Sequence, residues 1–146
     1  MQKSKNAFTM IELVFVIVVL GILAAVAIPR LAATRTDAEI TKGRADIASI
    51  RSAIVTERQA RLITGDSLFI EGTDMDTAAG LFDGVLTYPL AAATANGRWN
   101  TAGGNDINTS NYTYRINGGD TAFQYTRDNG VFTCIRNTDD CNVLTD

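Results

Sequence analysis

The sequence contains no histidine, and this absence removes several classes of function at once. Metal sites built on imidazole need that side chain, as does nucleophilic catalysis by Ser–His or Cys–His pairs. No carboxylate dyad or phosphate-binding loop is recognisable in the 146 residues, which suffice for one small domain plus an extended element. The sequence therefore predicts a protein that is not an enzyme.

Cysteine is scarce, with only Cys134 and Cys141, which lie near the C-terminus with six residues between them. A C-x6-C spacing without histidine or further cysteines is not a zinc pattern. The membrane segment described below directs this end of the chain out of the cytoplasm, where disulfides form. We therefore favour a disulfide closing a loop over 134–141, with free thiols as the alternative.

Basic charge is scarce in the C-terminal part. From Leu62 onward eleven acids face four arginines, although the whole chain has a formal net charge of only -3. An acidic domain is poorly suited to phosphate backbones. Trp99 and the alternating Tyr112 and Tyr114 could stack on bases, but aromatic residues alternating along a strand are more typical of a core. We predict no nucleic-acid binding by this chain alone.

A long apolar run is present near the N-terminus, over 8–28, interrupted by one acid, Glu12. Twenty-one helical residues span about 31 Å, close to the hydrocarbon thickness of a bilayer. Lys3 and Lys5 precede the run, which predicts a cytoplasmic N-terminus and an external C-terminal part. A carboxylate in such a segment is costly and commonly functional, unless it extends toward the water at the membrane interface.

The same run could instead belong to a secretory signal peptide, because Ala25–Ala27 ("AVA") is an acceptable signal-peptidase pattern. Against this, the run opens with Glu12 and helix-forming sequence continues beyond Pro29. The two alternatives predict different mature N-termini, Phe8 or Ile28.

An amphipathic helix is predicted after Pro29, over 30–63. Ile40, Ile47 and Ile54 recur every seven residues and form one apolar stripe. Good helix formers on both sides of Pro29 indicate that the proline kinks the helix and does not end it. With Gly65 as the stop, the helix is about 55 residues or roughly 80 Å long.

The remainder is predicted to be a connecting loop over 64–110 followed by an antiparallel sheet over 111–137. Residues 112–116 alternate apolar with polar, and two Gly-containing turns separate this segment from two further short strands. The isoleucine stripe is the natural cover for the apolar face of the sheet. The predicted fold class is α+β, with a long kinked N-terminal helix whose C-terminal half packs on a small antiparallel sheet.

The N-terminal motif resembles that of type IV prepilins and type II secretion prepseudopilins. The family motif is a short basic leader ending in glycine, then Phe-Thr-Leu-Ile-Glu and an apolar helix. Here residues 1–7 form the leader, Ala7 replaces the glycine, and Phe8 to Glu12 follow with Met10 in place of leucine. The resemblance is specific over about residues 3–33 and implies a pilin-like fold.

The resemblance implies that prepilin peptidase cleaves between Ala7 and Phe8 and that the new Phe8 amine is methylated. The segment 8–29 would then be the transmembrane and polymerisation helix, and 30–146 the periplasmic head of an inner-membrane protein. Glu12 would face the positive Phe8 amine of the next subunit, and Pro29 would let the helix bend during packing.

The expected function is that of a structural pseudopilin in a type II secretion filament. Its partners would be other copies of the chain, minor pilins or pseudopilins, prepilin peptidase and the inner-membrane assembly platform. One alternative is a type IV pilus subunit acting in adhesion, motility or DNA uptake, since pilins commonly carry a C-terminal cysteine pair. The other is a membrane-anchored or secreted binding domain that does not polymerise.

No cofactor is expected, although calcium deserves consideration. Major pseudopilins bind calcium in their C-terminal region, and Asp128, Asp139 and Asp140 are the weak candidates here. No EF-hand-like spacing is present, and Asp in turns usually satisfies only the local backbone.

Overall fold

The fold is known from a computed structural model that describes residues 8–77, 79–135 and 139–145. The backbones of Ala32 and Asp139 belong to this description, but their side chains do not. The predicted leader, including Ala7, lies outside the described residues.

The chain divides into two compact units, one ending at Arg35 and the other beginning at Thr36. One helix, α1 (Met10–Ile63), contributes to both. The prediction that helix formation continues through Pro29 is confirmed, since this residue lies inside α1.

The C-terminal end of α1 is closed by a Schellman motif at the predicted stop. Gly65 has a φ of 92°, which a glycine adopts without steric cost. Its amide donates to the carbonyl oxygen of Leu62 (3.2 Å). The next amide, of Asp66, donates to the carbonyl oxygen of Arg61 (3.0 Å). The carbonyl groups of Arg61 and Leu62 are therefore satisfied without solvent.

Four strands form one antiparallel sheet in the order β1-β2-β3-β4. They are β1 (Trp99–Thr101), β2 (Thr109–Ile116), β3 (Gly119–Thr126) and β4 (Val131–Cys134). Asn117 and Gly118 join β2 to β3 with φ values of 50° and 80°, the sign that a two-residue type I′ turn requires. This meander confirms the predicted α+β class.

The structure differs from the predicted loop over 64–110. That segment contains a short 3₁₀ helix (Gly72–Asp74) and the first strand, β1, so the sheet begins before the predicted residue 111. The same segment also contains a helical turn after Phe82, whose carbonyl oxygen accepts bonds from the amides of Val85 (3.1 Å) and Leu86 (2.7 Å). β1 has only three residues, too few to show an alternation in sequence.

The core joins one face of α1 to the inner face of the sheet. Ile47, Ile50 and Ile54 of α1 are buried, and Ile40 is partly buried against the same cluster. Rings from the sheet surround Phe82, a residue of the long connection, which lies 4.2 Å from the Tyr112 ring between centroids. The predicted packing of the isoleucine stripe on the sheet is therefore confirmed.

Buried tyrosines fix the connection and α1 to the sheet. The Tyr114 hydroxyl donates to the Glu39 carbonyl oxygen (2.6 Å), and the Tyr125 hydroxyl donates to the Ile70 carbonyl oxygen (2.8 Å). Burial raises the pKa of each hydroxyl to about 12, with the carboxylates of Asp46 and Glu39 adding to the effect at Tyr114. Both groups therefore stabilise the head only while protonated.

Arginines on α1 also recur every seven residues, and each contacts a segment that follows α1 in the chain. The Arg44 Nε donates to the Val143 carbonyl oxygen (2.7 Å). The Arg51 Nε donates to the Phe132 carbonyl oxygen (3.0 Å), and the Arg58 guanidinium lies 4.1 Å from the centroid of a nearby phenylalanine ring. The seven-residue spacing of these arginines can be seen in the sequence, but the groups that they contact cannot.

A C-terminal helix, α2 (Asp139–Thr145), occupies part of the predicted cysteine loop. Cys134 at the end of β4 and Cys141 in α2 form a disulfide with their Cα atoms 5.9 Å apart. Leu144 of α2 is buried and approaches α1 where Gly43 leaves space. The disulfide and this contact anchor α2 to the head.

Candidate assembly site

The N-terminal part of α1 is apolar and exposed in the part of the chain that the structure describes. Every residue from Phe8 to Leu31 is exposed, including sixteen large hydrophobic side chains. By length and composition α1 could cross a membrane. An apolar surface of this extent is not stable in water, so it must be covered by lipid or by other protein.

Glu12 forms a capping box with Thr9 at the start of α1. The Thr9 amide and hydroxyl donate to Glu12 Oε2 at 3.1 and 3.0 Å, and the Glu12 amide donates to Thr9 Oγ1 at 3.3 Å. These reciprocal bonds satisfy amides that the first helical turn leaves without partners. The carboxylate also lies at the positive end of the helix dipole.

The capping box gives Glu12 a role inside a single chain that the sequence analysis did not consider. Its signal was present, since Thr9-x-x-Glu12 before an apolar run matches the capping-box pattern. The two hydrogen bonds from Thr9 both end on Oε2. Within the described part of the chain Oε1 accepts no hydrogen bond, so the charge remains available to a further donor.

Pro29 is placed in the same exposed segment. Its ring nitrogen carries no hydrogen, so the carbonyl of Ala25 lacks the usual helical donor. Five residues later, the Thr34 hydroxyl donates to the carbonyls of Arg30 (3.1 Å) and Leu31 (3.0 Å). Helix α1 continues through the proline, and the role of Pro29 in assembly remains a prediction.

Of the weak calcium candidates, Asp128 and Asp140 lie on separate elements of the described structure. Asp128 lies in the β3–β4 turn and Asp140 in α2, while the side chain of Asp139 is outside the described residues. Among the described side chains there is no group of three or more acidic or cysteine residues able to hold a metal ion. The carboxylate of Asp106, another acid in a turn, accepts the amides of Asn108 (2.7 Å) and Thr109 (2.6 Å) and so satisfies the local backbone.

The aromatic residues considered for base stacking are core residues. Trp99, Tyr112 and Tyr114 are all buried, and the Trp99 indole donates to an Asp46 carboxylate oxygen at 3.0 Å. These rings are not accessible to a nucleic acid.

Comparison with known proteins agrees with the N-terminal motif. The family model for the prokaryotic N-terminal methylation motif matches residues 2–28. A fimbrial protein of Pseudomonas aeruginosa is 31% identical over 76 residues, 52% of this chain and 47% of that protein. The type II secretion system core protein G of Pseudomonas aeruginosa strain PAO1 is 36% identical over 53 residues, 36% of this chain and 37% of that protein.

The chain therefore spans about half the length, or less, of these curated relatives. No solved structure gives a significant match. The methylation motif, the exposed apolar helix and the α+β head are together similar to those of pilin-like proteins. The N-terminal segment carries the prokaryotic N-terminal methylation motif, and the chain is similar to type IV pilin-like proteins. Its N-terminal helix fits a membrane-anchored subunit.

Proposed function

We propose that this chain is a pseudopilin, a structural subunit of the periplasmic filament of a type II secretion system. The observation that carries the proposal is the uncovered apolar segment of α1, which opens with a charged, capped Glu12. Such a segment is suited to two successive environments, the lipid bilayer and the centre of a helical filament.

The transfer from lipid to filament gains little from apolar burial, because acyl chains are as apolar as a neighbouring helix. A polar contact between subunits must therefore favour the move from the bilayer into the filament. Prepilin peptidase would cleave between Ala7 and Phe8, and methylation of the new amine would keep its positive charge. At about 4 Å and an effective dielectric constant near 20, this amine and a Glu12 carboxylate attract by about 4 kcal/mol.

Desolvation cancels much of that attraction. The pair would therefore fix the register between neighbouring subunits more than it would stabilise the filament. The capping box supports this role because Thr9 holds Glu12 Oε2 while no described residue occupies Oε1. The partners would be other copies of this chain, minor pseudopilins, prepilin peptidase and the inner-membrane assembly platform. Lys3 and Lys5 favour an inner-membrane orientation with the head in the periplasm.

A type IV pilus subunit is the second candidate. Two observations favour it: the C-terminal disulfide between Cys134 and Cys141, and the similarity to a fimbrial protein over half of this chain. The pilus and secretion candidates share the assembly site and differ in where the filament extends.

A pair of substitutions tests the charge of Glu12 separately from its capping role. Glu12→Gln keeps an acceptor that suits a capping box but removes the charge. Thr9→Ala removes the reciprocal hydroxyl, at a cost of about 1 kcal/mol to the helix terminus, and keeps the charge. Thr9→Ser, which keeps the hydroxyl, is the matched control.

Each variant is expressed in the producing organism after deletion of the chromosomal copy. Filaments, protein secretion, surface pili and the mature N-terminus are then measured. We expect every variant to start at Phe8, Glu12→Gln to lose filaments and secretion, and Thr9→Ala to retain both at a reduced level. Normal filaments from Glu12→Gln would refute the charge-pairing account.

Loss of surface pili with intact secretion would instead favour the pilus subunit. A wild-type chain that starts at Ile28, or that is never found in a filament, would support the non-polymerising binding domain.

A further inference from the structure

Two tripeptides in the head have the acceptor pattern for N-linked glycans. They are Asn108-Thr109-Ser110 and Asn111-Tyr112-Thr113. Asn-x-Ser/Thr is used in chains that leave the cytoplasm, on surface segments able to hold a bulky, hydrophilic group. The pattern is short and common, so the environment of each asparagine must decide whether a glycan fits.

Asn111 is not suited to carry a glycan. It lies within β2, partly buried, and both ends of its amide are engaged. Its Oδ1 accepts a bond from Gln124 Nε2 (2.9 Å) on the paired strand. Its Nδ2 donates to the carbonyls of Gly104 (3.3 Å) and Gly103 (3.4 Å). A sugar on Nδ2 would displace the loop that leads from β1 to β2.

Asn108 presents the opposite environment, immediately before β2. The residue is exposed, and its side-chain amide makes no hydrogen bond with the part of the chain that the structure describes. Its backbone is fixed, because its amide donates to Asp106 Oδ1 (2.7 Å) and its carbonyl accepts from the Arg127 amide (2.8 Å). A substituent on Nδ2 would therefore extend into solvent from a rigid turn without breaking a native contact.

The position of Ser110 limits when the modification could occur. This residue is fully buried, and its hydroxyl donates to the Gly72 carbonyl oxygen. The hydroxyl that completes the acceptor pattern is therefore inaccessible in the folded head. Transfer has to precede the packing of β2, while the translocated chain is still unfolded.

We infer that Asn108 is an N-glycosylation site, modified after translocation and before the head folds. The donor would be an oligosaccharide carried on a polyprenyl diphosphate. The Asn108 Nδ2 attacks the anomeric carbon, a C–N bond forms, and the C–O bond to the diphosphate breaks. The amide loses one proton, the lipid diphosphate leaves, and no atom is oxidised or reduced.

The test uses the full chain purified from the organism that produces it. Trypsin cleaves after Arg98 and Arg115, so both candidate asparagines lie in the peptide 99–115. Mass spectrometry with fragmentation that preserves glycans should show this peptide heavier by an oligosaccharide located on Asn108. An unmodified peptide, or a sugar on Asn111 or on a hydroxyl side chain, would overturn the inference.

Single substitutions test whether Asn108 itself carries the sugar. Asn108→Gln should abolish the added mass, while Asn142→Gln, an exposed asparagine outside any acceptor pattern, should leave it unchanged. Ser110→Thr keeps the pattern and should retain the sugar.

The inference shares with the proposed function the requirement that the head lies outside the cytoplasm. Cleavage of the head by protease added to spheroplasts tests that requirement alone. An accessible head with unmodified Asn108 would overturn only the glycosylation inference, and an inaccessible head would overturn both.

Discussion

Replacing Gly43 by alanine should destabilise the head, although the same change stabilises most helices. Gly43 lies where α1 meets the sheet and α2. A Cβ atom at this position would lie 2.7 Å from both Leu144 Cδ2 and Tyr114 Cε1, well inside van der Waals contact. The substitution therefore sets a helix-propensity gain against an overpacked interface.

The structure indicates which effect is larger. Alanine is favoured over glycine in a helix by about 1 kcal/mol. Overpacking a core costs about 1–3 kcal/mol, and the cost depends on how far the neighbours can move. The Tyr114 ring is held by its 2.6 Å bond to the Glu39 carbonyl, and α2 is held by the Arg44 bond to Val143. Because these neighbours are restrained, the overpacking cost should lie in the upper part of that range, which leaves a net loss of about 1–2 kcal/mol.

The assay is urea unfolding of the detergent-solubilised chain, followed by the fluorescence of Trp99, which lies in the core. Ala38→Gly, at an exposed position of α1, is the control for propensity and should cost about 1 kcal/mol. The double variant Gly43→Ala/Leu144→Ala should lose less than the sum of its single changes, because the smaller side chain relieves the clash. A Gly43→Ala variant more stable than the wild type would refute the reasoning.

Two further predictions concern the stability of the head. The pKa of Tyr114 and of Tyr125 rises from its ordinary value near 10 to about 12 in the folded head, so the unfolded chain releases their protons first. The contribution of these two hydroxyls to stability should be constant below pH 10 and fall between pH 10 and 12. Tyr125→Phe should flatten this loss in urea titrations, and an unchanged slope would contradict the assignment. Breaking the Cys134–Cys141 disulfide opens a short loop with a sequence separation of 7, worth about 2.5 kcal/mol in the chain-entropy model. Reduction or the double serine variant should lower the urea midpoint accordingly, and an unchanged midpoint would show that the bridge does not stabilise the head.

The long helix and three of the strands, β2, β3 and β4, could be predicted because their signals are local. The isoleucine stripe at 40, 47 and 54 follows the helical period, and the alternation over 112–116 follows the strand period. Gly65 closes α1 by a backbone conformation that depends on few neighbours. These elements are confirmed with small differences at their ends.

The remaining elements depend on contacts distant in sequence. β1 is three residues long and exists through its pairing with β2, in which Trp99 faces Tyr114. α2 is seven residues long and is held by the disulfide and by buried Leu144. Short segments such as these have little intrinsic stability, so their sequences alone do not show whether they form.

The residues of the candidate assembly site, Phe8, Glu12 and Pro29, were selected from the motif, and their role in assembly remains a prediction. The structure places Glu12 and Pro29 in the exposed segment of α1, and Phe8 just before α1 begins. The reciprocal bonds between Thr9 and Glu12 were overlooked although the pattern was present. Because a capping box and a charge pair use the same carboxylate, only a variant that separates the two can assign the function of Glu12.

The sequence by itself determined the apolar N-terminal helix, its single acid, the amphipathic continuation and the α+β class. Hydrogen bonding between near neighbours and the helical and strand periods are encoded within short windows. The tertiary structure alone decided that Phe82 and Trp99 enter the core, that Gly43 admits no side chain, and that Asn108 is exposed while Asn111 is engaged. These outcomes depend on which segments distant in sequence pack together, and a short stretch of sequence does not show which segments those are.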